Sequence, residues 1–114
     1  SIKKSFYDKQ RSKLLLQDTE NLINIETSNA WSQFQSSKSV LEATKAQLKA
    51  AEIANEGITL EYDSGNTRTT LELIQSRSLL LDARISFARA ERDFVVSQFE
   101  LAKQIGTLSV NSLK

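Results

Sequence analysis

The sequence contains no cysteine, histidine, proline or methionine, and only three of its 114 residues are glycine. Without cysteine and histidine, the chain lacks thiol nucleophiles, Ser-His-Asp triads, disulfide frameworks and the usual zinc ligands. Without proline and with so little glycine, it also lacks the turn residues that an all-β sandwich needs. These absences indicate an all-α chain built from long helices.

Charge and hydrophobicity exclude further classes of protein. The 15 Lys and Arg residues nearly balance the 14 Asp and Glu residues, so no basic field attracts nucleic acid. The longest uninterrupted apolar runs are three residues, against about 20 for a transmembrane helix. The available ionisable groups form no pair in an evident pocket. We therefore expect no enzyme activity, no cofactor, no metal site and no nucleic-acid partner.

A first helix is predicted over residues 3–63, since only Gly57 interrupts this stretch. Its length far exceeds the roughly 8–20 residues of an ordinary globular helix and points to a coiled coil or a helical array. The dense turn cluster of the chain follows at residues 64–68 and contains Gly65. The sequence therefore predicts a break between two helices at this point.

A second helix is predicted over residues 69–105. Thr69 and Glu72 have the spacing of a capping box, in which the threonine hydroxyl accepts from the Glu72 amide while the carboxylate reaches back. Gly106 suits the left-handed residue that follows a helix end. Residues 106–114 are accordingly predicted to form a tail.

Large apolar residues recur every seven positions along the second helix, and smaller residues follow each of them three positions later. This heptad predicts a coiled-coil seam. A second apolar row lies beside it, so the apolar surface is wider than a two-stranded seam needs. The large series is Leu73, Leu80, Phe87, Phe94 and Leu101, the small series is Ser76, Ala83, Ala90, Ser97 and Gln104, and the second row is Ile74, Leu81, Ala88, Val95 and Ala102.

The first helix has a matching but weaker heptad near the turn, and no clean heptad farther upstream, around residues 14–25. The loss of a strict seven-residue repeat predicts straighter helices away from the turn. Folding the two helices antiparallel about Gly65 gives a long hairpin whose first arm extends past the second by roughly 20 residues, or about 30 Å. The seam series of the first helix are Phe34, Leu41, Leu48, Asn55 and Tyr62, with Ser37, Thr44, Ala51 and Ile58.

The stretch EYDSGNTRTTLEL at residues 61–73, together with LDA at 81–83 and QIGTL at 104–108, resembles the TolC family of outer-membrane efflux channels. The family's periplasmic turn reads roughly Tyr-x-x-Gly-x-x-Thr before a hydrophobic–acidic–hydrophobic stretch, and Gly-x-Leu commonly follows the returning helix. The chain matches the second of the family's two repeats best. The resemblance implies a single periplasmic helical hairpin, as a fragment of a trimeric α-barrel tunnel beneath a membrane β-barrel that is absent from this chain.

The resemblance also implies a function. The chain would form part of a non-enzymatic conduit for drug efflux or type I secretion, in the bacterial outer membrane with this segment in the periplasm. Its partners would be two further protomers in a homotrimer, a periplasmic adaptor (membrane fusion) protein and an inner-membrane transporter. The turn would be the inner-membrane-proximal tip that docks the adaptor, through Gly65, Asn66, Thr67 and Arg68.

Two tip residues fall on the family's gate when Asn66 is treated as a one-residue insertion. Tyr62 then matches the gate tyrosine and Arg68 the gate arginine, which hold the tips closed through contacts with the neighbouring hairpin. Tyr62 also fits an ordinary seam position. A positive side chain at a helix start is unfavourable beside the helix dipole, so we expect a partner carboxylate for Arg68.

An entrance ring of two acidic residues occurs in some members of the family. Glu72 matches the first of these residues, and Gln75 replaces the second. The capping box and the helix dipole explain Glu72 equally well.

A generic coiled-coil scaffold or oligomerisation module is the alternative interpretation. A scaffold should show one narrow seam and no special turn. The second apolar row and the turn motif therefore favour the channel.

Overall fold

The chain folds as an all-α helical hairpin in a computed structural model, which describes residues 2–65 and 67–112 and the side chains as far as residue 110. Helix α1 spans Ile2–Asp63 and helix α2 spans Thr70–Ser112. The described residues contain no strand. The predicted fold class, a long helical hairpin, is confirmed.

The second helix continues through Gly106, so the predicted helix end at residue 105 is wrong. Among the described residues, the positive φ angle belongs to Gly65 and not to Gly106. A single glycine costs a helix about 1 kcal/mol, which is too little to end it when no proline follows. Residues 106–112 are therefore helical rather than a tail, and residues 113 and 114 lie outside the described part of the chain.

The chain divides into two compact units, Gln35–Val96 and Ser1–Phe34 with Ser97–Lys114. We call the first the turn unit and the second the terminal unit. In the turn unit, the buried positions follow the predicted heptads on both helices. Its buried residues are Ser37, Leu73, Ser76, Leu80 and Ala90, and the remaining predicted seam positions of this unit are half-buried.

The second apolar row of α2 stays exposed in the turn unit. Leu80 in the seam is 8% exposed, whereas Leu81 in the second row is 56% exposed. Burial of a leucine side chain contributes about 1.5–3 kcal/mol. The seam therefore stabilises the hairpin, and the second row adds little to it.

In the terminal unit, Ser97 and Leu101 are buried on α2. On α1 the half-buried positions extend upstream to Ile23, through Thr27 and Ala30. The heptad was expected to be lost around residues 14–25, but it continues upstream as far as Ile23. The sequence does not reveal this continuation because one of the seam positions is occupied by a polar residue, Thr27. Residues 2–22 are exposed on every side of the helix.

No membrane-crossing helix is found in the described part of the chain, where neither α1 nor α2 is apolar enough over a sufficient length.

Candidate functional site at the interhelical turn

The turn reverses the chain through backbone hydrogen bonds and one left-handed glycine. The Ser64 N–H donates to the Leu60 carbonyl at 3.0 Å, and the Gly65 N–H donates to the Tyr62 carbonyl at 3.1 Å. Gly65 has a φ of 75°. A left-handed residue with a Cβ costs about 1–2 kcal/mol, whereas nothing lies within 4 Å of a Cβ built on Gly65. Backbone conformation, and not lack of space, therefore requires glycine here.

The start of α2 is closed by the predicted capping box. The Glu72 N–H donates to Thr69 Oγ1 at 3.2 Å, and the Thr69 N–H donates to Glu72 Oε2 at 3.4 Å. The Leu73 N–H donates to the Thr69 carbonyl at 3.1 Å, which begins the helical hydrogen bonding. Thr69 is thus the N-cap, so α2 begins one residue after the predicted start, at Thr70.

Arg68 connects the last turn of α1 to the first turn of α2. Its Nε donates to Glu61 Oε2, and its Nη1 lies 3.6 Å from Glu72 Oε2. All three side chains are half exposed. The hydrogen bond and the negative charge of Glu61, helped by Glu72, raise the pKa of Arg68 above its ordinary value. The partner carboxylates of Arg68 in this structure therefore belong to the same hairpin.

Tyr62 makes a second link between the two helices. Its hydroxyl oxygen lies 3.2 Å from Thr70 Oγ1, and either group can donate the hydrogen bond. The ring is half-buried at its seam position. Tyr62 therefore serves the seam through its ring and crosses the turn through its hydroxyl.

The structure brings some of the predicted site residues together. Arg68 contacts Glu72, and Tyr62 pairs with Thr70 instead of with either of them. Gly65 and Thr67 are exposed at the turn, while Asn66 lies outside the described residues. Across the described residues there is no group of three or more side chains that could hold a metal ion.

Sequence reasoning missed two partners, Glu61 and Thr70. Glu61 lies seven residues before Arg68 and on the other side of the turn. Heptad periodicity identifies seam positions and carries no information about contacts that depend on the path of a turn. The one available signal was the unfavourable position of Arg68 at a helix start, which called for a carboxylate without saying which one.

Among curated proteins, the chain is similar to the outer membrane efflux protein BepC of Brucella suis, with 30% identity over 86 residues. The match covers 75% of this chain, and the chain spans 19% of that relative. Because at most 28 of the 114 residues lie outside an 86-residue match, the match includes the turn. No protein-family model matches the chain, and no solved structure matches it significantly. The similarity supports a distant relationship between this chain and the outer membrane efflux proteins.

Proposed function

We propose that the chain is a periplasmic helical hairpin of an outer-membrane efflux or type I secretion channel. The observation that carries this proposal is the similarity to an efflux protein over 75% of the chain, on both sides of the turn. The whole channel would be a homotrimer in the bacterial outer membrane, and this segment would form part of its periplasmic tunnel wall. Transport through such a wall is passive and needs no catalytic residue.

The exposed apolar row supports a wall in which hairpins lie side by side. Ile74, Leu81 and Val95 are spaced by seven residues or twice that number, and they are 58%, 56% and 47% exposed. Exposed apolar residues repeated along one side of a helix are typical of a face that another protein covers. We assign the row to the contact with a neighbouring hairpin, while the polar faces of both helices remain in water. This row also distinguishes the channel from a two-stranded scaffold, which needs the seam alone.

The turn is assigned to adaptor docking and gating. Gly65, Thr67 and Arg68 are exposed, as a docking surface requires, and Asn66 completes the proposed surface in sequence. A guanidinium has five N–H donors. In the hairpin, the contacts of Arg68 with Glu61 and Glu72 use only those on Nε and Nη1. A carboxylate of a neighbouring hairpin can then pair with Nη2, while Tyr62 exchanges its bond to Thr70 for one across the gate.

The gate is tested by conductance of the full-length channel in planar bilayers. We expect Arg68→Ser with Tyr62→Phe to raise single-channel conductance, because both contacts across the closed tip are lost. The matched control, Arg92→Ser with Tyr7→Phe, removes the same groups away from the turn and should leave conductance at the wild-type value. Unchanged conductance in the variant with both Arg68→Ser and Tyr62→Phe would refute the gate.

The acidic entrance ring is a further proposed role of Glu72. It predicts that Glu72→Gln weakens any block of the channel by divalent cations, and an undiminished block would refute that role.

Docking is tested separately by crosslinking the full-length channel to its adaptor. Gly65→Arg places a long charged side chain on the exposed turn and should abolish the crosslink while trimers still form. Gly106→Arg controls for the added bulk and charge, since nothing lies within 4 Å of a Cβ at either glycine, and Gly65→Ala controls for the strain of a Cβ in the left-handed region. If crosslinking to the Gly65 variant persists at the wild-type level, the turn is not the docking surface.

A further inference from the structure

The seam of the turn unit is interrupted by a polar pair, Asn55 with Ser76. Asn55 holds a seam position one heptad before Tyr62, and its Oδ1 accepts a hydrogen bond from Ser76 Oγ at 3.2 Å. Ser76 is 7% exposed and Asn55 is half-buried. A buried hydrogen bond contributes only about 0.5–1.5 kcal/mol net, whereas one buried leucine contributes about 1.5–3 kcal/mol. This layer of the seam is therefore weaker than an apolar one.

Helix α1 is also weakened at the same place. Gly57 lies two residues after Asn55, inside the helix and exposed, with nothing within 4 Å of an added Cβ. A glycine in a helix interior costs about 1 kcal/mol relative to alanine. Neither a positive φ nor a close approach of another described residue calls for glycine here. Weak helix and weak seam thus coincide at residues 55–57.

Beyond this layer, the turn is held together by its own contacts. Arg68 pairs with Glu61 and Glu72, and Tyr62 pairs with Thr70. The capping box adds two further hydrogen bonds at the start of α2. Arg68 and Tyr62 therefore join the ends of both helices directly across the turn, while the capping box fixes the start of α2.

We infer that the Asn55–Ser76 layer and Gly57 form a hinge, at which a tip segment opens as one unit. The tip segment comprises the described residues 58–65 and 67–75. Proteins open locally in contiguous cooperative units, and regions with few buried apolar contacts open most easily. The contacts across the turn couple the two arms, so both arms lose their helical hydrogen bonds in the same opening event. This inference concerns the hairpin itself, and it stands or fails independently of the channel proposal.

Amide hydrogen exchange of the 114-residue chain, followed by NMR, tests the hinge. In the wild type, amides 58–63 and 73–75 should share one protection factor, lower than that of amides 41–52 and 80–90. Gly57→Ala should raise the shared factor about fivefold, because it restores about 1 kcal/mol of helix propensity. Asn55→Leu with Ser76→Ala replaces the polar layer by an apolar one and should raise it at least as much.

Gly106→Ala is the matched control, because Gly106 is also a helical glycine with open space around it. It should leave the protection of the tip segment unchanged. Four results would overturn the hinge: protection that declines smoothly from residue 48 to 63, different protection in the two arms, one rate along the whole chain, or an equal effect of Gly106→Ala. None of these results depends on channel conductance, so the two proposals fail separately.

Discussion

Two apolar rows of α2 repeat with the same seven-residue period and differ in what covers them. The seam row and the second row are offset by one residue, and both repeat every seven positions. Leu80 is 8% exposed and its neighbour Leu81 is 56% exposed. The partner helix of the same chain covers the first row and leaves the second open. Periodicity thus reveals apolar faces, but it does not show which face the chain covers itself.

The largest expected difference in the free energy of unfolding is between alanine substitutions at these two leucines. Leu80→Ala removes a buried side chain and should lower the free energy of unfolding by about 2–5 kcal/mol. Leu81→Ala removes an exposed side chain and should change it by less than about 0.5 kcal/mol. Urea unfolding of the 114-residue chain, followed by circular dichroism, measures both values. Equal losses would show that the second row is covered within the isolated chain, which would contradict the assigned packing.

A smaller change in the free energy of unfolding is expected when the two glycines of the turn unit are substituted. These substitutions leave both apolar rows unchanged. Gly65→Ala forces a Cβ into the left-handed region and should destabilise the hairpin by about 1–2 kcal/mol. Gly57→Ala should stabilise it by about 1 kcal/mol, because its backbone is helical and its surroundings are open. The same urea titration gives both values. A stabilising or negligible effect of Gly65→Ala would mean that the turn does not depend on the φ of Gly65.

The features that the sequence predicted are those that local rules determine. The seam follows from seven-residue spacing, the break between the helices from the turn cluster around Gly65, and the N-cap of α2 from the spacing of Thr69 and Glu72. These features depend on residues that are close together in the chain or repeated along it. Their agreement with the structure shows that the hairpin near its turn is locally specified.

The features that the sequence did not predict depend on contacts or on weak signals. Gly106 was predicted to follow the end of the second helix, yet the free-energy cost of a single glycine is too small to end a helix. Thr27 concealed the upstream seam because its side chain is polar while its position is half-buried. Glu61 became the partner of Arg68 through the path of the turn, which no periodic pattern encodes.

Cysteine labelling of the second row tests the central proposal, that a neighbouring hairpin covers this row in an assembled channel. The chain has no cysteine, so Leu81→Cys and Val95→Cys each introduce a unique thiol into this segment. Both should react with a water-soluble maleimide in the isolated 114-residue chain and become at least tenfold slower in the full-length assembly. Arg92→Cys, at a position exposed in the hairpin, serves as the reference for general accessibility. Equal labelling rates at residues 81 and 95 in the isolated chain and in the assembly would contradict the proposed wall.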